Sequence, residues 1–283
     1  MAVNVAISGF GRIGRLVLRS IIESKRKDIN VVAINDLAPV DTNAFLLAND
    51  TVHGPLNEKI SVKKNKMTIG RKTISVLNER DPQKLPWKKM KIDVALECTG
   101  LFTSKEKASM HIKAGAKKVL VSAPCSEADK TIVYGVNEQE ITRNDLVVSN
   151  ASCTTNCLAP VVKVLHEKFG IVHGYMTTIH AFTGDQSVLD TFHPDLRRAR
   201  AASMSMIPTS TGAAKAVGLV MPELSGNLEG TAIRVPTPNV SLIDFKFVSK
   251  KTRKVDSVNK AMNAASGSIT LKGILNVNSC RLY

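Results

Sequence analysis

The apolar positions of this chain follow two different rhythms, one before residue 150 and one after it. Val3–Ser8 is a short apolar run that ends in a glycine turn, which predicts a buried strand. Between Arg12 and Glu23 the apolar residues Ile13, Leu16, Val17, Ile21 and Ile22 fall at helical spacing. Residues 30–35 form a second strand-like run, so the chain opens with a βαβ unit and a short first turn. Mixed helix and short strands follow to about residue 85. Strands are predicted over 91–97, 117–122, 131–135 and 146–149, with a helix over 105–115. Repeated strand–helix–strand order predicts a doubly wound parallel sheet.

After Asn150 long strands dominate, over 174–181, 230–234 and 240–248. Helices are predicted over 152–166, 212–220 and 255–265, and a polar, Arg-rich loop over 184–202. The predicted fold is therefore α/β. It has an N-terminal Rossmann-type domain, 1–151, and an α+β catalytic domain, 152–283, with a mixed or antiparallel sheet.

Composition narrows the function classes. The 283 residues are 43% hydrophobic and 22% charged, an ordinary globular balance with room for two domains. The formal charge of +15 favours anionic ligands. Its lysines are scattered, and no aromatic-rich RNA-reading motif accompanies them, so a dedicated nucleic-acid function is not expected. Cys98, Cys125, Cys153, Cys157 and Cys280 are odd in number and widely spread, which argues against a disulfide framework and for a reducing cytoplasm. No second Cys or His pair completes a zinc pattern, and no apolar run is long enough for a membrane span. The start of the chain reads as a strand rather than a signal peptide.

Gly9, Gly11 and Gly14 form G-x-G-x-x-G directly after a strand and at the opening of a helix. The first glycine allows the tight turn, the second a close pyrophosphate, and the third close helix–strand packing. The helix N-terminus offers N–H groups to the anion. Asp36 ends the second strand, 22 residues past Gly14, where a carboxylate can accept from both ribose hydroxyls and repel a 2′-phosphate. NAD is thus favoured over NADP. Thr99 and Gly100, at the carboxyl end of their strand, line the same groove.

Cys153 lies where a strand gives way to a helix, a position whose positive potential favours a thiolate. His180 sits in a strand-like segment from which it can point at that thiol. A Cys–His pair suits nucleophilic catalysis. Taken singly, a structural cysteine and a satisfied core histidine are the commoner readings, and a spacing of 27 residues does not decide between them.

Longer motifs do decide. Ser149-Asn-Ala-Ser-Cys-Thr-Thr-Asn-Cys157, with the glycine motif, His180, Pro208-Thr-Ser-Thr-Gly-Ala-Ala214 and Arg234-Val-Pro-Thr-Pro-Asn239, strongly resembles phosphorylating glyceraldehyde-3-phosphate dehydrogenases. The resemblance runs from residue 1 to about Val277, and Asp195-Leu-Arg-Arg-Ala-Arg200 looks like the bacterial type. It implies that Cys153 attacks the aldehyde, that His180 lowers the thiol pKa and acts as general base, and that phosphate cleaves the thioester. It implies NAD contacts from Arg12, Ile13, Arg80 and Ser122. It further implies a site for inorganic phosphate at Ser152, Thr154, Thr211 and Gly212. Thr183 and Arg234, with Arg198 nearby, would hold the phosphate of glyceraldehyde 3-phosphate. A homotetramer is implied, with the 184–202 loop reaching a neighbour's cofactor. The related erythrose-4-phosphate dehydrogenases share the Cys and His, but generally lack the segment that contains Thr211 and Gly212.

Three departures stand out. Ser8 replaces the family's usual Asn, and Thr191-Phe192 replaces a Leu-Pro pair found in many NAD-specific members. Leu271-Lys-Gly-Ile-Leu275 matches, but residues 278–283 follow no family pattern. The family's final strands, its Tyr-Asp-Asn-Glu-Trp-Gly segment and its last helix have no counterpart. A truncated or frame-shifted product of lowered stability and activity is the resulting expectation, with a non-catalytic binding role as its extreme form.

Overall fold

The computed structural model describes residues 2–251 and 254–280. Residues 281–283, the last three of the 278–283 segment, thus lie outside the described residues. The chain forms two compact units, Met1–Thr131 with Ile141–Asn150, and Ile132–Glu140 with Ala151–Tyr283.

The first unit contains, in chain order, β1 (Val3–Ser8), α1 (Arg12–Glu23), β2 (Ile29–Asn35), α2 (Val40–Ala48), β3 (Asn49–Asp50), β4 (Gly54–Pro55), β5 (Ile60–Lys63), β6 (Lys66–Ile69) and β7 (Lys72–Leu77). It continues with β8 (Val94–Glu97), α3 (Lys105–Ala108), α4 (Met110–Lys113), β9 (Lys118–Val121), β10 (Lys130–Thr131) and β11 (Val147–Ser149). Its main sheet runs β10-β11-β9-β8-β1-β2-β7-β6-β5. Pairings from β10 through β7 are parallel, and only the β7-β6-β5 edge is antiparallel. The central strands are apolar because both faces are covered: Val5, Ala6, Ile7, Ala33 and Ile34 are all buried. On α1, Gly14, Leu18 and Arg19 face inward. Buried Arg19 pairs with Glu23 and donates to the carbonyls of His53, Gly54 and Pro55, so a guanidinium ties the small β3–β4 hairpin to α1.

The second unit holds α5 (Cys153–Phe169), β12 (Ile171–Ala181), β13 (Ile207–Ser210), α6 (Ala213–Val220), β14 (Leu228–Val235), β15 (Ser241–Ser249) and α7 (Val255–Ser266). Its sheet runs β13-β14-β12-β15, with β12 and β14 parallel and the outer pairs antiparallel. Leu158, Val162 and Leu165 of α5 pack with Met176 of β12 and with Ala214 and Val217 of α6.

The elements differ from expectation in three places. Of the predicted 131–135 strand, only Thr131 is one, at the end of β10; residues 132–135 are not. Val133 and Val136 bury their side chains in the second unit's core, and Val133 N–H donates to Asn137 Oδ1 within a turn. The predicted 105–115 helix is two short ones that meet at Ser109. β13 was not anticipated. It contains Pro208, which an edge strand tolerates because no neighbour needs its missing N–H.

Candidate active site

The position of Cys153 follows from the local chain path at the start of α5. Ala151 takes a left-handed φ of 56°, which turns the chain into Ser152. Ser152 caps α5, its Oγ accepting from Thr155 N at 3.0 Å. Cys153 is then the first residue of the helix, where the peptide dipoles favour an anion, and no acidic side chain in the first turn opposes them. Thr155 Oγ1 donates to Ala213 O at 3.3 Å, which brings the N-termini of α5 and α6 together. At the second terminus Gly212 precedes the helix, and Thr211 Oγ1 accepts from Ala213 N. Ser152, Thr154, Thr211 and Gly212 are therefore gathered around two helix N-termini, an arrangement suited to an anion.

His180 reaches the thiol from β12. Its Nε2 lies 3.2 Å from Cys153 Sγ. Its Nδ1 donates to the Ala181 carbonyl at 2.6 Å, so in the neutral ring Nε2 is left as the acceptor that faces sulfur. The hydrogen bond to His180 is the main cause that lowers the Cys153 pKa; burial opposes it, and bonds from Thr154 assist. Reciprocally, the bond to sulfur raises the His180 pKa. Three other thiols move the opposite way. Burial pushes Cys98 up to about 11 and also raises Cys125 and Cys157.

Arg234 of β14 stands beside this pair. It donates to Thr183 Oγ1 at 2.9 Å and has no ion-pair partner among the described residues, while its Nε is buried without a hydrogen bond. Burial, and then the nearby Arg198, lower its pKa, so the location is electropositive and partly desolvated. Arg198 is more committed. It bonds to Thr209 Oγ1, to Asp185 Oδ2 and to the Ser210 carbonyl. Sequence reasoning missed Asp185 and Thr209, which fix this guanidinium; an Arg-rich loop with interspersed carboxylates was the available signal.

The glycine motif forms as its spacing predicts. Gly9 has φ 86°, and a Cβ on Gly14 would lie 2.1 Å from the Gly9 carbonyl oxygen. At Gly11 an added Cβ would meet nothing, so the backbone there faces open space, as a pyrophosphate requires. Asp36 accepts from Phe10 N at 2.7 Å and Ala38 N at 2.9 Å, which anchors its carboxylate at the groove. A cavity of about 340 Å³ is lined by Gly9, Gly11, Asp36, Arg80 and Thr99, together with Leu37, Glu79, Leu101 and Phe102, which the sequence did not single out. Arg12, Ile13, Gly14, Gly100 and Ser122 are not among its lining residues. Arg12 instead pairs with Asp50 at 3.4 Å, and Ser122 Oγ donates to Glu97 O. The open backbone, the anchored acid and the cavity fit a dinucleotide. Among the described residues no cluster of potential metal ligands occurs, and no helix is long and apolar enough to cross a membrane.

Comparison with known proteins agrees with this geometry. Residues 3–105 match the glyceraldehyde 3-phosphate dehydrogenase NAD binding domain, and residues 152–282 match the C-terminal domain of the same family. A glyceraldehyde-3-phosphate dehydrogenase of Xanthobacter flavus is 63% identical over 275 residues, covering 97% of this chain and 82% of the relative. Those of Cereibacter sphaeroides and Geobacillus stearothermophilus are 60% and 55% identical, with the same shares of each chain covered. The chain belongs to the glyceraldehyde 3-phosphate dehydrogenase family.

Proposed function

We propose that this chain oxidises glyceraldehyde 3-phosphate to 1,3-bisphosphoglycerate with NAD and inorganic phosphate. The observation that carries the proposal is the 3.2 Å contact between Cys153 Sγ and His180 Nε2, with the far side of the ring pinned. Sγ gives its proton to Nε2 and attacks the aldehyde carbon, and the carbonyl oxygen takes that proton from Nε2 to give a hemithioacetal, which leaves His180 neutral. NAD, when bound, supplies a hydride acceptor. As the hydride leaves carbon, neutral His180 removes the hydroxyl proton and the C=O bond re-forms as a thioester on Cys153. Phosphate then attacks that carbon, and the thiolate leaves.

The anion sites divide in the same reading. Arg234 and Thr183 hold the substrate's own phosphate, with Arg198 as a more distant charge. Ser152, Thr154, Thr211 and Gly212 hold the attacking phosphate. Gly9, Gly11, Gly14, Asp36, Thr99 and Gly100 hold NAD, with Arg12, Ile13, Arg80 and Ser122 as further contacts. The chain works in the cytoplasm as a homotetramer. Free cysteines support the first part, and exposed Val188, Leu189, Phe192 and Leu196 in the loop after β12 support the second. Sedimentation velocity tests the assembly.

Activity is tested by NADH formation from glyceraldehyde 3-phosphate with and without inorganic phosphate. Turnover that needs phosphate and disappears in Cys153→Ser is the expected result. Turnover independent of phosphate would mean that water, not phosphate, cleaves the thioester, as in an erythrose-4-phosphate dehydrogenase.

A further inference from the structure

A charged residue at the end of a buried strand needs a reason. Glu97 closes β8, and its side chain is fully buried, as are those of His111 and Trp87. Among the described residues, the ring of His111 is the only basic side chain within ion-pair distance of its carboxylate. The Trp87 indole N–H donates to His111 Nδ1 at 3.0 Å. An indole nitrogen can only donate, so Nδ1 carries no proton and the ring is the neutral Nε2–H tautomer. That Nε2–H donates to Glu97 Oε2 at 2.9 Å. On the other side, Oε1 accepts from Thr99 N at 2.7 Å and from Thr99 Oγ1. Thr99 Oγ1 accepts in turn from Leu101 N, which leaves its own proton for Glu97. The main chain of Glu97 adds to this, because its carbonyl accepts from both Ser122 N and Ser122 Oγ.

Two chains of donors converge on the Glu97 carboxylate, one from Trp87 through His111 and one from Leu101 N through Thr99. Thr99 and Leu101 line the cavity assigned to the dinucleotide, and Leu101 is exposed. A core network serving packing alone has no need to end on a solvent-facing groove. We propose that Glu97 is a positioning residue for NAD binding: it fixes the 99–101 loop and Ser122 from beneath, with its orientation set by His111 and Trp87. The inference rests on the NAD reading above.

The donor pattern makes a sharp test. Glu97→Gln keeps the shape but puts an NH2 group against a donor, either His111 Nε2–H or the Thr99 donors. Trp87 prevents His111 from changing tautomer, so the exposed loop must yield. Titration calorimetry with NAD should show at least about tenfold weaker binding in Glu97→Gln. Alkylation of Cys153 by iodoacetamide, a reaction of the other unit, should proceed at the wild-type rate. Adding Trp87→Phe releases Nδ1, lets Nε2 accept from the new amide, and should restore at least about threefold of the lost affinity while lowering thermal stability. If Glu97→Gln does not fold, Glu97→Asp replaces it: the shorter carboxylate keeps the charge but cannot reach His111 Nε2 and the Thr99 donors together, and should also weaken NAD binding. Wild-type affinity in Glu97→Gln, or in Glu97→Asp where the amide does not fold, overturns the proposal. A wild-type chain that does not bind NAD overturns the NAD reading and this inference together.

Discussion

Arg234 lies directly opposite His180 in the parallel β12–β14 ladder, one strand spacing away. The pairing places a guanidinium with no carboxylate partner among the described residues next to the imidazole that faces Cys153 Sγ. It also lowers the proton affinity of His180, against the larger effect of the thiol. Arg234→Ala should raise KM for glyceraldehyde 3-phosphate by about 10- to 100-fold, the range for a lost charge-assisted bond of about 1.5–3 kcal/mol. Arg234→Lys should recover only part of this, because a point charge cannot present two parallel donors. Initial-rate kinetics with the phosphorylated aldehyde and with unphosphorylated glyceraldehyde would check it. A similar loss with both substrates would remove the assigned role.

The thiol–imidazole pair predicts a pH profile. A lowered thiol pKa means that thiolate persists below the ordinary range near 8.5, and is lost as pH falls through the lowered value. Iodoacetamide should therefore modify Cys153 at lower pH than it modifies an ordinary thiol. His180→Asn removes the largest lowering cause, so its alkylation curve should move to higher pH. Cys98, pushed up to about 11, should stay unmodified in the folded chain at pH 8. Mass spectrometry of each cysteine peptide against pH reads both results.

Asp36 should decide cofactor choice. Asp36→Ser removes a carboxylate placed to meet a ribose and to repel a 2′-phosphate. The ratio of NADP to NAD affinity should rise by about tenfold or more, measured by calorimetry, since one charge-assisted bond contributes on that order. NAD affinity should fall, because Phe10 N and Ala38 N also lose their acceptor.

Ser152→Ala deletes the cap of α5 and should cost about 1 kcal/mol in urea unfolding. Ser152→Asp restores an acceptor for Thr155 N, but places a negative charge beside the thiolate. It should recover stability while slowing alkylation of Cys153. Parallel changes in stability and reactivity across the two variants would argue against separate roles for the cap and the thiol environment.

Much of this was legible because it is local. G-x-G-x-x-G between a strand and a helix specifies its own turn, and the steric demand at Gly14 is met within six residues. The start of α5 is likewise written in Ala151, Ser152 and Cys153. What could not be read depends on contacts distant in sequence. Arg234 and Thr183, joined across 51 residues, were brought together only by the family resemblance, and Trp87 and His111, joined across 24, were not brought together at all. Residues 131–135 look like a strand because Val133 is buried, but burial alone does not say against what. Glu97 was visible as a charge at the end of an apolar run. Its meaning needed the donors around it.

The β12 register has a consequence for how this sequence can change. From Gly174 to His180 the strand pairs without interruption with β14 on one side and β15 on the other, and its bulge lies upstream, between Ile171 and His173. Successive residues of a strand point to opposite faces. One residue inserted or deleted between Gly174 and His180 would turn the imidazole away from sulfur and put a different residue across from Arg234. The loops can absorb changes in length, whereas this stretch can exchange side chains but cannot change its count. Hydrogen-bond spacing in the sheet is thus the ruler that holds base and anion site apart, and drift in this family should appear here as substitution and elsewhere as insertion.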